Sequence, residues 1–178
     1  MTYVVHSLDT APAAAKETLA DAKAAYGFLP NLLGVMAEAP ALLKAYRTAM
    51  GLFEGTSLSF AEQQIVLLAA SRENDCKYCI AAHSVVAKMR KVPVDVVRAV
   101  RDGQPVADKK LEALRRFTGS VVASRGWPSD ADTKVFFDAG YGRAQILEVV
   151  LGIGVKTLSN YTNHIADTPL DEAFAGDV

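Results

Sequence analysis

Residues 58–83 read LSFAEQQIVLLAASRENDCKYCIAAH, and this stretch decides the fold. Ser59 and Glu62 have the spacing of a capping box, which is typical of the N-terminus of a helix. The apolar run over residues 65–70 is continuous rather than periodic, so it predicts a helix that is buried on nearly all sides. Asp75 then breaks the pattern and is predicted to cap a second helix, which carries the cysteines.

Helical patterns continue on both sides of this stretch, and no convincing alternating strand pattern appears. Glycine, proline and cap residues divide the remaining chain into predicted helices, over residues 11–26, 32–36, 41–53, 94–101, 109–125, 130–139 and 143–165. A chain of 178 residues is of ordinary length for one domain. The sequence therefore predicts a multi-helical all-α fold of seven to nine helices, with residues 1–178 forming a single domain and the cysteine motif at the N-terminal end of a core helix.

The composition excludes several function classes. The chain is 51% hydrophobic and 22% charged, as globular proteins are, and its net charge is −1 without a block of like charge. A nucleic-acid footprint or a polybasic membrane patch is therefore not expected. From residues 1–7 we expect no secretory signal, and no apolar stretch of the sequence is long enough to span a bilayer. We expect a cytoplasmic protein, in which a close cysteine pair is more often catalytic or metal-binding than structural.

Both cysteines of the chain lie in the motif Cys76-x-x-Cys79-x-x-x-His83. On a helix, offsets of zero, three and seven residues fall on one face. A thiol attacks as its thiolate, and a helix N-terminus favours the charged form of Cys76. Cys79 lies one turn before His83, which can deprotonate it most directly. This spacing predicts that Cys79 is a buried nucleophile and Cys76 a more accessible resolving thiol.

Other interpretations of the motif remain open at this point. The cysteines could be small core residues, and His83 a hydrogen-bonded core histidine without a role in proton transfer. The three side chains could also hold zinc with one open position, with His164 or a carboxylate as the fourth ligand. Elsewhere, the pair Gly152-x-Gly154 indicates a close helix–helix or subunit contact rather than a nucleotide site, because it does not follow a strand.

The stretch from Leu58 to Val66, followed by Cys76 to His83, resembles the core of the alkylhydroperoxidase D-like proteins of the carboxymuconolactone decarboxylase superfamily. The similarity is strongest over about residues 28–100, where the cysteine–histidine motif and its preceding apolar helix occur together. Residues 27–31 (GFLPN) and 160–169 (NYTNHIADTP) resemble the peroxidase-related branch. The resemblance thus touches most of the chain.

This resemblance implies an all-helical fold, assembly into dimers, trimers or hexamers, and thiol-dependent reduction of hydroperoxides. Carried over to this sequence, Cys79 attacks the peroxide and becomes a sulfenic acid, and Cys76 condenses with it to a disulfide. An external dithiol then reduces the disulfide, and His83 belongs to a proton relay. The implied partners are a small hydroperoxide and an unidentified dithiol reductant, with no metal or organic cofactor.

The relay departs from the family pattern at Gln64. Relatives place a glutamate twelve residues before the first cysteine, and glutamine cannot exchange a proton near neutrality. Glu62 and Glu73 are the nearest candidates to replace it. For Glu62 a capping-box role is favoured, and for Glu73 a solvated position at a helix end.

The end of the last long helix offers a second replacement for the missing glutamate. Tyr161, Asn163 and His164 could fold over the cysteines there. For His164, the favoured interpretation is structural, because a cation near a helix C-terminus interacts well with the helix dipole.

The sequence thus supports the hypothesis of a cysteine-based peroxidase that works through a Cys76–Cys79 dithiol/disulfide cycle. Two alternatives are an acid–base enzyme like the carboxymuconolactone decarboxylases, and a redox-sensing oligomer without catalytic turnover. The decarboxylases generally lack the thiol pair, which counts against the first alternative.

Overall fold

The structure, a computed structural model, describes residues 3–177. Within this range the chain forms nine α-helices and no strand: α1 (Ala13–Tyr26), α2 (Asn31–Met36), α3 (Pro40–Glu54), α4 (Phe60–Glu73), α5 (Lys77–Met89), α6 (Val94–Arg101), α7 (Lys109–Ala123), α8 (Asp130–Asp138) and α9 (Arg143–Ala166). A short 3₁₀ helix, Glu172–Asp177, follows. The all-α prediction is confirmed, and the described helices reach the upper end of the predicted number. None of them has the length and apolar character needed to cross a bilayer.

Helix α4 is the centre of the bundle. Its residues 62–71 are all buried, as the continuous apolar run predicts, and it packs against α5, α6, α7 and α9. The predicted capping box is confirmed, because the Glu62 backbone N–H donates to Ser59 Oγ and the Ser59 backbone N–H donates to Glu62 Oε2. These two bonds satisfy backbone donors that a helix N-terminus otherwise leaves unpaired.

The turn between α4 and α5 places the cysteine motif. Asp75 has a left-handed backbone with φ of 52°, so it does not adopt the extended conformation of an N-cap residue. The prediction that Asp75 caps α5 is therefore wrong, and Cys76 itself occupies the N-cap position. As a result Cys79, rather than Cys76, lies in the first turn of α5. The motif does lie at the N-terminal end of a core helix, as predicted.

Helix α9 packs against α3 and α4 along a glycine. A Cβ atom at Gly152 would lie 2.7 Å from the Phe53 ring and 2.8 Å from Val66, so the two neighbouring helices approach the α9 backbone directly. Gly154 has open space around its Cα. The close contact expected for this glycine pair is therefore made within the chain by Gly152 alone.

The C-terminal segment is tied to α2 and α5. The Asp171 carboxylate accepts hydrogen bonds from the Tyr78 hydroxyl and from the Asn31 backbone N–H. Phe174 packs edge-on against the rings of Tyr78 and Phe28. These contacts hold the C-terminal segment against the cysteine helix. The Asn31 side-chain Nδ2 also donates to the Pro169 carbonyl at 3.1 Å, which joins the two segments that resemble the peroxidase-related branch.

Candidate active site

The two cysteines lie together as free thiols in the interior. Cys76 is 1% exposed and Cys79 is 2% exposed. The Asn163 side-chain Nδ2 donates to both sulfur atoms, at 3.3 Å from Cys79 Sγ and 3.6 Å from Cys76 Sγ. Both thiols therefore contact the same side-chain amide. The expected greater accessibility of Cys76 is wrong, because both side chains are enclosed equally.

The pKa values of the two thiols are shifted in opposite directions. The hydrogen bond from Cys76 is the largest cause that holds the pKa of Cys79 well below its ordinary value. Burial opposes this effect, while the charge of Lys156 and side-chain hydrogen bonds with Lys156 and Ser159 add to it. The same hydrogen bond to Cys79, together with burial, raises the pKa of Cys76. Of the two thiols, Cys79 is therefore the one that loses its proton more readily.

The position of Cys79 in α5 supports the same assignment. Its sulfur belongs to the third residue of the helix, where free backbone N–H groups and the helix dipole stabilise an anion. The Ser159 hydroxyl lies 3.7 Å from Cys79 Sγ and adds a further polar neighbour. The reactive form of a cysteine is thus favoured at Cys79 by charge, dipole and hydrogen bonding together.

His83 is a neutral imidazole held between two side chains. Its Nδ1 lies 3.1 Å from Gln64 Oε1, which can only accept, so Nδ1 carries the proton. Its Nε2 lies 3.0 Å from Lys156 Nζ and accepts from that ammonium group. Burial, followed by the Lys156 charge, lowers the pKa of His83. The expected direct deprotonation of Cys79 by His83 is not seen in this geometry, because both ring nitrogens contact other groups.

The same geometry bears on the zinc interpretation. Between residues 3 and 177, no group of three histidine, cysteine or acidic side chains is arranged to hold a metal ion. His83 directs its two nitrogens at Gln64 and Lys156 rather than at an ion shared with the cysteines. The donor set of the motif therefore does not converge as a metal site.

Helix α9 supplies the other half of the site through Lys156, Ser159 and Asn163. Their offsets of zero, three and seven residues are the same as those of the cysteine–histidine motif, so each set forms one helix face. Sequence interpretation missed Lys156 and Ser159. A signal was present, because Lys156 is the one charged residue between positions 149 and 163 of an apolar helix.

Neither candidate for the missing glutamate contacts the site, whereas Gln64, at the glutamate position itself, contacts His83. Glu62 bonds to the Tyr141 hydroxyl and Lys110 besides closing the capping box. Burial opposes its ionisation, but hydrogen bonds from Ser59, Tyr141 and Lys110 outweigh burial and lower the pKa of Glu62. The contacts of Glu62 are therefore those of a structural residue at the start of α4, as expected.

Glu73 lies elsewhere on the surface. It is exposed and lines a cavity of about 260 Å³ together with Arg72 and Arg115, and neither cysteine lines that cavity. Glu73 therefore has no contact with the proposed proton relay.

We expected three polar residues near the end of α9 to cover the cysteines, and the structure supports this for one of them. Asn163 contacts both thiols, but Tyr161 is 54% exposed and His164 is also exposed. The idea that Tyr161 and His164 fold over the cysteines is wrong, because the helical period turns both side chains away from the face that holds Asn163. His164 is in the last turn of α9, where its structural role was expected.

Comparison with known proteins identifies the fold class first. The structure is similar to the crystal structure of an alkylhydroperoxidase AhpD core, an uncharacterized peroxidase-related protein from Ralstonia eutropha JMP134, with a TM-score of 0.83 and 19% identity over 97% of this chain and 93% of that chain. A peroxidase-related protein from Silicibacter sp. TM1040 gives a TM-score of 0.82 and 17% identity, covering 99% and 95%. At these identities the similarity shows a shared alkylhydroperoxidase D-like fold.

A third solved structure widens the chemistry found on this fold. It is a cysteine-to-alanine variant of the debrominase Bmp8 in complex with 2,3,4-tribromopyrrole, with a TM-score of 0.79 and 17% identity over 91% of this chain and 88% of that chain. A search of curated proteins found no match.

The sequence model of the Carboxymuconolactone decarboxylase family matches residues 37–118, which include both cysteines and His83. Together with the shared fold, this match shows that the chain is similar to alkylhydroperoxidase D-like proteins of the carboxymuconolactone decarboxylase superfamily. The resemblance found in the sequence is thereby confirmed.

Proposed function

We propose that this protein is a thiol-dependent peroxidase that reduces hydrogen peroxide or small organic hydroperoxides. The observation that carries the proposal is the pair of buried free thiols that share the Asn163 donor, with the pKa of Cys79 lowered and that of Cys76 raised. A peroxidatic cysteine needs a thiolate to attack, and a resolving cysteine needs to be close enough to form a disulfide. The pair meets both requirements.

The proposed reaction begins when the Cys79 thiolate attacks the terminal oxygen of the hydroperoxide. The O–O bond breaks, Cys79 becomes a sulfenic acid, and the remaining oxygen leaves and takes up a proton to form an alcohol or water. Cys76 then attacks the sulfenic sulfur, and its thiol proton leaves with the hydroxyl group as water. Two electrons have passed from the dithiol to the peroxide, and an external dithiol restores the pair by thiol–disulfide exchange.

Asn163 offers a hydrogen-bond acceptor to a small oxygen-containing substrate. Its Nδ2 contacts the sulfurs, while its buried Oδ1 is without a hydrogen-bond partner among residues 3–177. A hydroperoxide O–H group is a donor that such an acceptor can bind. The cycle needs no metal or organic cofactor, and its dithiol reductant fits a reducing compartment such as the cytoplasm. Assembly into dimers, trimers or hexamers stays a prediction from the sequence resemblance.

The test is peroxide consumption with dithiothreitol as reductant, comparing the wild type with Cys79→Ser and Cys76→Ser. We expect Cys79→Ser to lose turnover completely. Cys76→Ser should still react once per chain and accumulate a sulfenic acid at Cys79, which dimedone labels and mass spectrometry locates. The two variants control for each other, since each removes one sulfur from the same site. Undiminished turnover in Cys79→Ser would overturn the proposal.

Reductive debromination is a second candidate, favoured by the similar fold of the debrominase Bmp8. A dithiol that becomes a disulfide supplies the two electrons needed to replace a carbon-bound bromine with hydrogen and release bromide. The same variants assayed with 2,3,4-tribromopyrrole, with bromide release as the readout, separate this activity from peroxide reduction.

Turnover of lactone substrates in Cys79→Ser would instead favour acid–base chemistry. Thiol oxidation without any turnover, accompanied by a change in sedimentation, would favour the redox-sensing oligomer.

A further inference from the structure

Lys156 is a buried cation without a carboxylate partner. It is 0% exposed, and among the described residues no aspartate or glutamate forms an ion pair with it. Its ammonium group lies 3.0 Å from His83 Nε2, and its charge and a hydrogen bond act on Cys79. A buried charge that is neither paired nor hydrogen-bonded is strongly unfavourable, so the surrounding groups must compensate it.

The groups facing Lys156 leave one source of negative charge. On α5, Cys76 keeps its proton and His83 is neutral. Tyr46, on α3, is a buried neighbour of Cys79, and burial followed by the charge of Cys79 raises the pKa of its hydroxyl, so it adds no negative charge. Helix α4 contributes the neutral amide of Gln64, which bonds to the far side of the imidazole. The thiol pair is the remaining source, because Ser159, three residues from Lys156 on the same face of α9, has its hydroxyl 3.7 Å from Cys79 Sγ.

We propose that Lys156 is the counter-ion of the Cys79 thiolate and the proton donor to the oxygen that leaves when Cys79 attacks a hydroperoxide. This inference rests on the proposed peroxidase function and assigns to Lys156 the proton that the family glutamate would handle. Gln64 occupies the glutamate position and holds His83 in the tautomer whose Nε2 accepts from Lys156. Gln64 and His83 are thus positioning residues for the ammonium group.

The proton and charge balance of the cycle follows from this assignment. When the thiolate attacks ROOH, the S–O bond forms, the O–O bond breaks, and the leaving RO⁻ takes a proton from the Lys156 ammonium to give ROH and a neutral amine. Cys76 then closes the disulfide and water leaves. The thiolate and the ammonium charge have disappeared together, so no uncompensated charge stays buried. An external dithiol reduces the disulfide and supplies two protons, one to Cys76 and one to Lys156.

The experiment compares Lys156→Met, which removes the charge, with Lys156→Arg, which keeps the charge but cannot give up a proton. Lys134→Met removes the charge of an exposed lysine on α8 and is the matched control. Two rates are measured without external reductant. Iodoacetamide alkylation at Cys79, followed by mass spectrometry across pH, reports the thiolate, because iodide leaves without a proton. Oxidation by hydrogen peroxide in a single turnover needs both the thiolate and the proton donor.

We expect Lys156→Met to move the alkylation midpoint upward by about 1–3 pH units, the effect of losing a nearby opposite charge. Lys156→Arg should alkylate nearly as the wild type does but react with peroxide about 10²–10⁴-fold more slowly, the usual contribution of a general acid. Lys134→Met should match the wild type in both rates. If arginine does not fit the site, Lys156→Met tests the proton donor at pH values above its own alkylation midpoint. There its alkylation rate should equal that of the wild type, while its oxidation by peroxide stays slow.

An unmoved midpoint in Lys156→Met would overturn the counter-ion assignment, and a wild-type peroxide rate in Lys156→Arg would overturn the proton-donor assignment. Failure of the proposed function has a different signature. In that case wild-type Cys79 alkylates at low pH and Lys156→Met does not, yet the wild type fails to react with peroxide. That result would rule out proton donation by Lys156 and would still support the ion pair between Lys156 and Cys79.

Discussion

Replacing Gly152 with alanine tests whether close packing of α9 builds the site. The added methyl group would lie 2.7 and 2.8 Å from atoms of the Phe53 ring and 2.8 Å from Val66. Both neighbours are fully buried, so neither side chain can turn outward to make room. Overpacking of this kind costs about 1–3 kcal/mol. Alanine gains about 1 kcal/mol over glycine in helix propensity, so we expect a net loss of up to about 2 kcal/mol.

Gly154→Ala is the matched control on the same helix. It carries the same gain in propensity, but its Cβ meets nothing within 4 Å, so it should stabilise the protein by about 1 kcal/mol. Urea unfolding of the two variants measures both free energies. The propensity contribution cancels between them, and the difference of about 1–3 kcal/mol isolates the packing cost.

The same substitution should also affect the thiols. Gly152 lies one helical turn before Lys156, so a displacement of α9 away from α3 and α4 moves the ammonium group away from Cys79. We expect slower alkylation of Cys79 at neutral pH in Gly152→Ala and an unchanged rate in Gly154→Ala. Equal unfolding free energies for the two variants would refute the reasoning, because the site would then not depend on the close approach at Gly152.

Three further predictions concern the helix cap and the thiol environment. Ser59→Ala should lower the free energy of unfolding by about 1 kcal/mol through loss of the α4 cap, measured by urea unfolding; an unchanged value would contradict it. The lowered pKa of Glu62 stabilises the folded state above the unfolded-chain pKa, and this contribution is lost as pH falls through the folded value. Glu62→Gln should therefore be less stable than wild type at pH 7, with a difference that shrinks in acid; a pH-independent difference would argue against this linkage. Asn163→Leu removes a hydrogen-bond donor to the Cys79 thiolate worth about 1.5–3 kcal/mol. The pKa of Cys79 should therefore rise by about 1–2, and alkylation at neutral pH should slow roughly 10–100-fold. An unchanged alkylation rate would show that Asn163 is only a packing residue.

The helices could be predicted because their signals are local. The Ser59–Glu62 capping box, the buried run of α4 and the glycine that ends α1 each act within a few residues, and all three agree with the structure. The error at Asp75 was also local. An aspartate before a helix resembles an N-cap, but the chain uses a left-handed residue there and starts α5 one position later.

The thiol motif could also be found locally, while the contact that brings Lys156 to it could not. Residue spacing placed Cys79 and His83 on one helix face, but it did not indicate that His83 contacts Lys156, which is 73 residues further along the chain. A lysine within an apolar helix reads as a surface residue until the packing of that helix is known. The exposed side chains of Tyr161 and His164 illustrate the same point, because only the rotation of α9 distinguishes them from Asn163.

The sequence by itself determined the all-α class, most helix boundaries and the two cysteines one helical turn apart. Backbone hydrogen bonding and capping depend on neighbours in the chain, which is why these features could be deduced from residue order. The tertiary structure alone decided that Lys156, Ser159 and Asn163 of α9 lie next to the cysteine–histidine motif. That placement depends on burial and on the contact between α5 and α9, since a charge interacts strongly only with groups that folding brings next to it in a dry interior.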